Sequence, residues 1–188
     1  MWILIDNYDS FTHILHHYLL QCGAACKVFR NDELTIAELK ALNPERLILS
    51  PGPETPIQSG ICIEAIAEFH DKIPILGICL GHQAIGMFFG ATLLTLPYPM
   101  HGKTSQISYK KHFLFEGLSQ PFIAMRYHSL AIETSQSPEL LTLAYSLDDQ
   151  VTMAIGHKKY PCIGLQFHPE SIGTSQGIQI IQNWAKAY

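Results

Sequence analysis

The sequence predicts an α/β protein built on an open, mostly parallel mixed sheet with helices on both faces. Two observations carry that expectation. In the first half, Trp2 to Ile5, Cys26 to Phe29, Leu47 to Leu49 and Ile73 to Ile78 are short apolar runs, each followed by a stretch with helical spacing. Strand and helix alternating in this way is what parallel strands joined by crossover helices require. In the second half the helical spacing is lost until the C-terminus, and strand-like runs succeed one another, which adds antiparallel strands.

Each element has its own signal. Trp2 to Ile5 carries no charge, as befits a strand buried on both faces. Asp6 to Ser10 forms the loop at its carboxyl end. Ser10 is placed to cap a helix in which Phe11, Ile14, Leu15, Tyr18, Leu19 and Cys22 keep helical spacing, and Gly23 ends it. Thr35-Ile36-Ala37-Glu38 is a capping box, opening a helix that stops at Asn43-Pro44. Ile61 to Phe69 reads as the next helix, and another runs from the turn at Cys79 to Gly90. Beyond it, Ala91 to Leu96, Gln106 to Tyr109, Pro121 to Met125, Leu130 to Thr134, Leu140 to Tyr145, Val151 to Ile155 and Ile163 to Phe167 read as strands. Thr174 or Ser175 starts a final helix with Ile178, Ile181, Trp184 and Tyr188 along one side. No repeat, low-complexity tract or linker divides the chain, so residues 1–188 are expected to form one domain.

Composition excludes several classes. The net charge is −4 and no lysine/arginine block occurs, so a nucleic-acid footprint is absent. Charged residues make up 15% of the chain, against about a quarter in an average protein, which suits a surface partly buried against another subunit. Five cysteines without regular spacing suit a reducing compartment. Met1 to Ile5 reaches Asp6 too early for a signal peptide, and no apolar run approaches a membrane span. The expectation is a soluble, cytoplasmic protein with no membrane contact.

Chemistry concentrates at Gly77-Ile78-Cys79-Leu80-Gly81, between a strand and a helix. This is the G-x-C-x-G form of a nucleophile elbow, in which flanking glycines allow a sharp bend and leave the central side chain exposed at the strand end. The following helix directs its free N–H groups and positive end at the sulfur, which favours an anion there. The Leu80 N–H is then placed to donate to an oxyanion. Far downstream, Gln166-Phe167-His168-Pro169-Glu170-Ser171 puts a histidine and a carboxylate two apart. In an extended segment they share one side, so Glu170 can orient His168 toward the sulfur, giving the nucleophile, base and orienter of covalent catalysis. Gln83, one helical turn beyond Cys79, can hold a polar end of a substrate.

These residues, with Asp6 to Thr12, Ser50-Pro51-Gly52-Pro53, Met100-His101-Gly102-Lys103-Thr104-Ser105 and Arg126-Tyr127-His128-Ser129-Leu130, occur in an order that resembles the triad (class I) glutamine amidotransferases. Within that family the pattern is similar to the small glutaminase subunit of anthranilate and aminodeoxychorismate (para-aminobenzoate) synthases. The resemblance runs from the first strand to the last helix and implies the flavodoxin- or Rossmann-like amidotransferase fold. It implies that Cys79, His168 and Glu170 are catalytic and that the Gly52 and Leu80 N–H groups form the oxyanion hole. Gly52, Pro53, Glu54, Gln83, Ser129 and Leu130 would hold L-glutamine, and His101 and Lys103 would face a partner. That partner is a larger chorismate-using synthase subunit in a hetero-oligomer, which receives ammonia, and no cofactor is implied in this subunit. One departure is Glu54, where relatives commonly have glycine or cysteine before Thr-Pro. The rival readings are a stand-alone cysteine γ-glutamyl hydrolase and a catalytically silent regulatory subunit; the intact Cys79, His168 and Glu170 weigh against the second.

Other polar residues are read as structural. His82 and His128 are expected to make local hydrogen bonds, and Asp6 to Ser10 to satisfy their own loop. His13 and His17 are spaced i, i+4 on a helix, a chelating geometry. No other ligand cluster accompanies them, so no metal is expected.

Overall fold

The apolar runs of the first half pair as parallel strands in the computed structural model, which describes residues 1–188. β1 (Trp2–Asp6) lies between β2 (Cys26–Arg30) and β3 (Arg46–Leu49), and β4 (Ile75–Ile78) adds beyond β3. β9 (Cys162–Leu165) returns to pair parallel with β4, and β8 (Thr152–His157), β7 (Leu140–Ser146), β5 (Thr92–Tyr109) and β6 (Phe122–Glu133) continue antiparallel. The result is one nine-stranded sheet in the order β2-β1-β3-β4-β9-β8-β7-β5-β6. The mixed α/β architecture is as the sequence predicts.

Strand alternation divides the core between the two faces. Leu4, Ile48, Leu76 and Ile163 point to one side, where α1 (Thr12–Gln21) supplies Leu15 and Leu19 and α5 (Gly177–Ala187) supplies Ile180, Ile181 and Trp184. Ile3, Ile5, Leu47, Leu49 and Ile75 point to the other. There they meet Leu39 of α2 (Ile36–Ala41), Ile66 of α3 (Cys62–Phe69) and Ile85 of α4 (Leu80–Phe88). Each of these side chains is fully buried, a gain of about 1.5–3 kcal/mol apiece. The expected capping box forms: Glu38 N–H donates to Thr35 Oγ1 and Thr35 N–H to Glu38 Oε2.

Four local expectations are corrected. Ser10 does not cap α1; Asp9 Oδ2 accepts the Phe11 N–H, and Asp6 Oδ1 accepts both the Asp9 N–H and the Thr12 hydroxyl. The stretch holding Met100 to Ser105, expected as a loop after Pro97 and Pro99, lies inside the 18-residue β5. The prolines sit where the β5–β6 register shifts, between Thr95 and Met100, so no ladder hydrogen bond is lost. Pro121 to Met125 and Leu130 to Thr134 are likewise parts of one strand, β6. Thr174 and Ser175 precede α5, which begins at Gly177, because the Thr174 hydroxyl is committed to the His168 carbonyl. No helix is long and apolar enough to cross a membrane.

Candidate active site

The carboxyl ends of β1, β3, β4 and β9 bring the loops after Asp6, Leu49, Ile78 and Leu165 to one rim of the sheet. At the centre Cys79 joins β4 to α4 with φ +49° and ψ −98°, a strained conformation for a side-chain-bearing residue. Its N–H is anchored on Leu165 O at 2.7 Å. The flanking glycines are needed for close approach rather than handedness. A Cβ on Gly77 would lie 2.3 Å from Gly81 O, and one on Gly81 2.4 Å from Leu49 O. Leu80 opens α4, in the turn whose N–H groups have no intrahelical acceptor.

His168 Nδ1 lies 2.7 Å from Glu170 Oε1, and both side chains are buried. The segment is a turn rather than the extended run expected, since β9 ends at Leu165 and Ser171 N–H donates back to His168 O. The Thr174 hydroxyl and the His168 N–H, the latter donating to Met125 O, hold that turn in place. His168 Nε2 is buried with no nitrogen or oxygen partner, leaving that edge for the Cys79 sulfur. Burial alone would lower the imidazole pKa. Hydrogen bonding and attraction from Cys79 and Glu170 outweigh it and hold His168 well above the ordinary imidazole range.

A cavity of about 200 Å³ opens over Cys79. Gly52, Pro53, Glu54, Gln83, Ser129 and Leu130, the residues expected around glutamine, all line it. Gly52 must lack a side chain, because a Cβ would lie 2.5 Å from Asn7 O. Asn7 in turn fixes the Ser50 loop, its N–H donating to Ser50 Oγ and its amide to Ser50 O. Glu54 takes φ +66°, the left-handed region in which glycine is free of strain. Both hydrogen bonds made by Gln83 Nε2 run to protein acceptors, Leu130 O at 3.0 Å and Gln166 Oε1 at 3.1 Å, so toward a ligand Gln83 offers its carbonyl oxygen. Of the two residues assigned to a partner surface, His101 also lines this cavity, while Lys103 is exposed on β5 outside its lining.

Two neighbours of the sulfur carry no role assigned from the sequence. Gln166 Nε2 is 3.6 Å from Cys79 Sγ, and the Tyr127 carbonyl oxygen is 3.8 Å from it. The Tyr127 ring stands edge-on to His168, with centroids 5.2 Å apart, and stacks on Phe11 at 6.1 Å. Both residues lie inside sequence motifs of the family pattern, which was the available signal. His128 makes the local bonds expected of it, Nδ1 to Leu130 O at 2.8 Å and Nε2 to Arg126 Nε at 3.0 Å. His82 is fully buried, with the backbone of Gly164 as a polar neighbour of its ring and no hydrogen bond of good geometry. Burial pushes His82 down to about 3, and burial with the Arg126 charge pushes His128 down to about 4. His16 Nε2 contacts Cys26 O, while His13 and His17 face solvent.

Residues 3–187 match the family described as glutamine amidotransferase class-I. The chain is 46% identical over 191 residues to anthranilate synthase component 2 of Pseudomonas putida, covering 98% of this chain and 96% of that one. It is also 46% identical over 184 residues to aminodeoxychorismate synthase component 2 of Klebsiella aerogenes, covering 98% of both. Among solved structures, a GMP synthase-type subunit from Thermoplasma acidophilum superposes with a TM-score of 0.85 at 27% identity, over 99% of this chain and 92% of that one.

Proposed function

The chain belongs to the class I glutamine amidotransferase family, and from that premise we propose that Cys79, His168 and Glu170 hydrolyse L-glutamine and that a larger synthase subunit takes up the ammonia. The observation that carries this reading is the buried His168–Glu170 pair at 2.7 Å, set beside a strained Cys79 at the floor of a cavity.

In the first half-reaction the Cys79 thiolate attacks the carboxamide carbon of glutamine. Negative charge develops on the carbonyl oxygen and rests on the N–H groups of Leu80 and Gly52, where one such donor is worth roughly 3 kcal/mol of transition-state stabilisation. His168 delivers its Nε2 proton to the departing nitrogen as the C–N bond breaks, leaving a glutamyl thioester and ammonia. In the second, His168 takes a proton from water as the oxygen attacks the thioester, and glutamate leaves as the sulfur is released. Glu170 keeps the imidazole oriented through Nδ1 and stabilises its cation. Pro53, Glu54, Gln83, Ser129 and Leu130 hold the amino-acid end of the substrate; the Gln83 oxygen suits an ammonium or amide donor.

Several features support a partner. Both relatives are named as second components of a synthase, one forming anthranilate and one aminodeoxychorismate. On the segments that follow β1, β3 and β9 at the site's rim of the sheet, Tyr8, Ile57 and Ile172 are 55%, 77% and 98% exposed, and bare apolar side chains there suit burial against another subunit. We place a chorismate-using synthase there, in the cytoplasm, with His101 and Lys103 at its contact. The identity of 46% to both relatives puts both synthases in the partner class, and glutamine-dependent formation of either product by each reconstituted pair measures the choice.

The test of the catalytic reading is Cys79→Ser in the assembled complex. Glutamine-dependent synthesis is expected to vanish while ammonia-dependent synthesis, which needs only the partner's chemistry, continues. Glutaminase activity persisting in the serine variant would sink the assignment, as would alkylation by a glutamine-mimicking electrophile at Cys22, Cys26, Cys62 or Cys162 instead.

A further inference from the structure

Arg126 is the only lysine or arginine that the fold buries completely, and a buried charge is costly unless every proton finds a partner. Its Nε donates to His128 Nε2 at 3.0 Å, its Nη1 to Ser105 Oγ at 3.0 Å and Ser146 Oγ at 3.2 Å, and its Nη2 to Asp149 Oδ2 at 2.8 Å. None of these contacts belongs to the triad. Their sense, however, dictates the state of the neighbouring ring. A guanidinium can only donate, so His128 Nε2 must accept, and the ring proton is left on Nδ1. That proton is donated to the Leu130 carbonyl at 2.8 Å.

The same carbonyl accepts from Gln83 Nε2 at 3.0 Å. Gln83 Nε2 also donates to Gln166 Oε1 at 3.1 Å, and Gln166 Nε2 approaches Cys79 Sγ at 3.6 Å. A continuous set of oriented hydrogen bonds therefore runs from Asp149, whose side chain is 36% exposed, through Arg126 and His128 to the cavity wall and the sulfur. The two serine hydroxyls and the carboxylate take three of the other four N–H groups, so the bond to His128 carries the guanidinium's influence toward the site.

We propose that Arg126 is a positioning residue for glutamine binding: it fixes the tautomer of His128, which holds the Leu130 carbonyl and with it the Ser129–Leu130 wall of the cavity over Cys79. The inference rests on the reading of that cavity as the glutamine site. Reversal of the His128 tautomer would point a lone pair at the Leu130 carbonyl, and the wall would move away from the substrate. The burial of His128, 4% exposed, prevents water from supplying the missing donor.

Three variants test it, each in the complex with its synthase. Arg126→Lys keeps the charge but loses the fork that reaches four partners. It is expected to raise KM for glutamine about tenfold with kcat within about threefold, the signature of lost binding rather than lost chemistry. His128→Asn can keep a donor near the Nδ1 position and is expected to hold KM at about the parent's value, whereas His128→Leu raises it as Arg126→Lys does. Asp149→Asn, at the half-exposed outer end, is expected to raise KM about threefold and serves where Arg126→Lys fails to fold. A folded Arg126→Lys with the parent's KM, or His128→Leu no worse than His128→Asn, overturns the proposal. So does Asp149→Asn at the parent's KM where the lysine variant does not fold. Loss of glutamine-dependent turnover in Cys79→Ser alongside unchanged KM values would overturn this inference alone; turnover surviving in Cys79→Ser would overturn the catalytic reading beneath it.

Discussion

Glu170 reaches His168 by folding back across Pro169, placing Oε1 2.7 Å from Nδ1 within a turn, where successive strand residues on one side would stand farther apart. The imidazole is thereby oriented by backbone shape as well as by charge. The two residues are accordingly expected to contribute unequally. His168→Ala removes the proton carrier of both half-reactions, a loss in the range of about 10²–10⁴-fold or more in kcat. Glu170→Gln keeps the shape and removes only charge and orientation, so it is expected to retain more glutaminase activity than His168→Ala. Steady-state assays of purified, folded variants decide it; the reverse ranking would mean that the roles are misassigned.

Acid stability depends on two other histidines. His82 and His128 stay neutral in the fold, held down to about 3 and about 4, while the unfolded chain protonates near the ordinary imidazole value of 6.5. Below that value the unfolded state binds more protons, so stability falls as pH falls and rises with pH. Between pH 7 and 5 each is expected to cost about 2 kcal/mol. His168 works in the opposite sense: its pKa is raised in the fold, so its contribution is complete below the unfolded value and is lost as pH rises through the folded one. Urea titrations at pH 7 and pH 5 measure the acid limb. His82→Asn is expected to lose about 2 kcal/mol less than the parent between them, and an unchanged slope would remove His82 from the account.

Glu54 provides a test of strain. A left-handed non-glycine residue costs about 1–2 kcal/mol, and glycine gives back about 0.5–1 kcal/mol of that in chain entropy. Glu54→Gly is therefore expected to stabilise the protein slightly, raising Tm by about 1–4 °C. The side chain is exposed at the cavity mouth, so no packing is lost to obscure the result. A fall in Tm would show that the glutamate makes a compensating contact.

Lys103 is exposed on β5 beside Gly102, whose φ of +63° marks the second register shift of that strand. It touches nothing in the triad, so Lys103→Ala is expected to leave basal glutaminase activity nearly intact while weakening its stimulation by the synthase. Glutaminase rates with and without saturating synthase measure this. A variant that binds and responds as the parent does would refute the coupling role of Lys103.

The parallel half of the fold was legible because its signals are local: apolar runs, the Thr35–Glu38 box and Gly23 with φ +81° after α1 all act within a few residues. The site was legible as residue types and order. Less legible was how they meet, because the turn at His168 depends on Thr174 and Met125, and the chain of bonds from Arg126 to Gln166 crosses separate segments of the sequence. Pro97 and Pro99 misled for a related reason. Proline forbids a ladder bond, and only the register of β6 shows that none is required there.

Those prolines also bear on how molecules avoid one another. From Thr92 to Gln106, β5 pairs only with β6, and its remaining edge takes up β7 first at Ile107. A long, partly bare strand edge is a template on which a second chain can add, the first step toward insoluble polymer. With no N–H at Pro97 and Pro99, and with the backbone thrown out of register between Thr95 and Met100, no incoming strand finds a continuous row of donors. The irregularity in β5 thus works against the addition of a second chain along that edge.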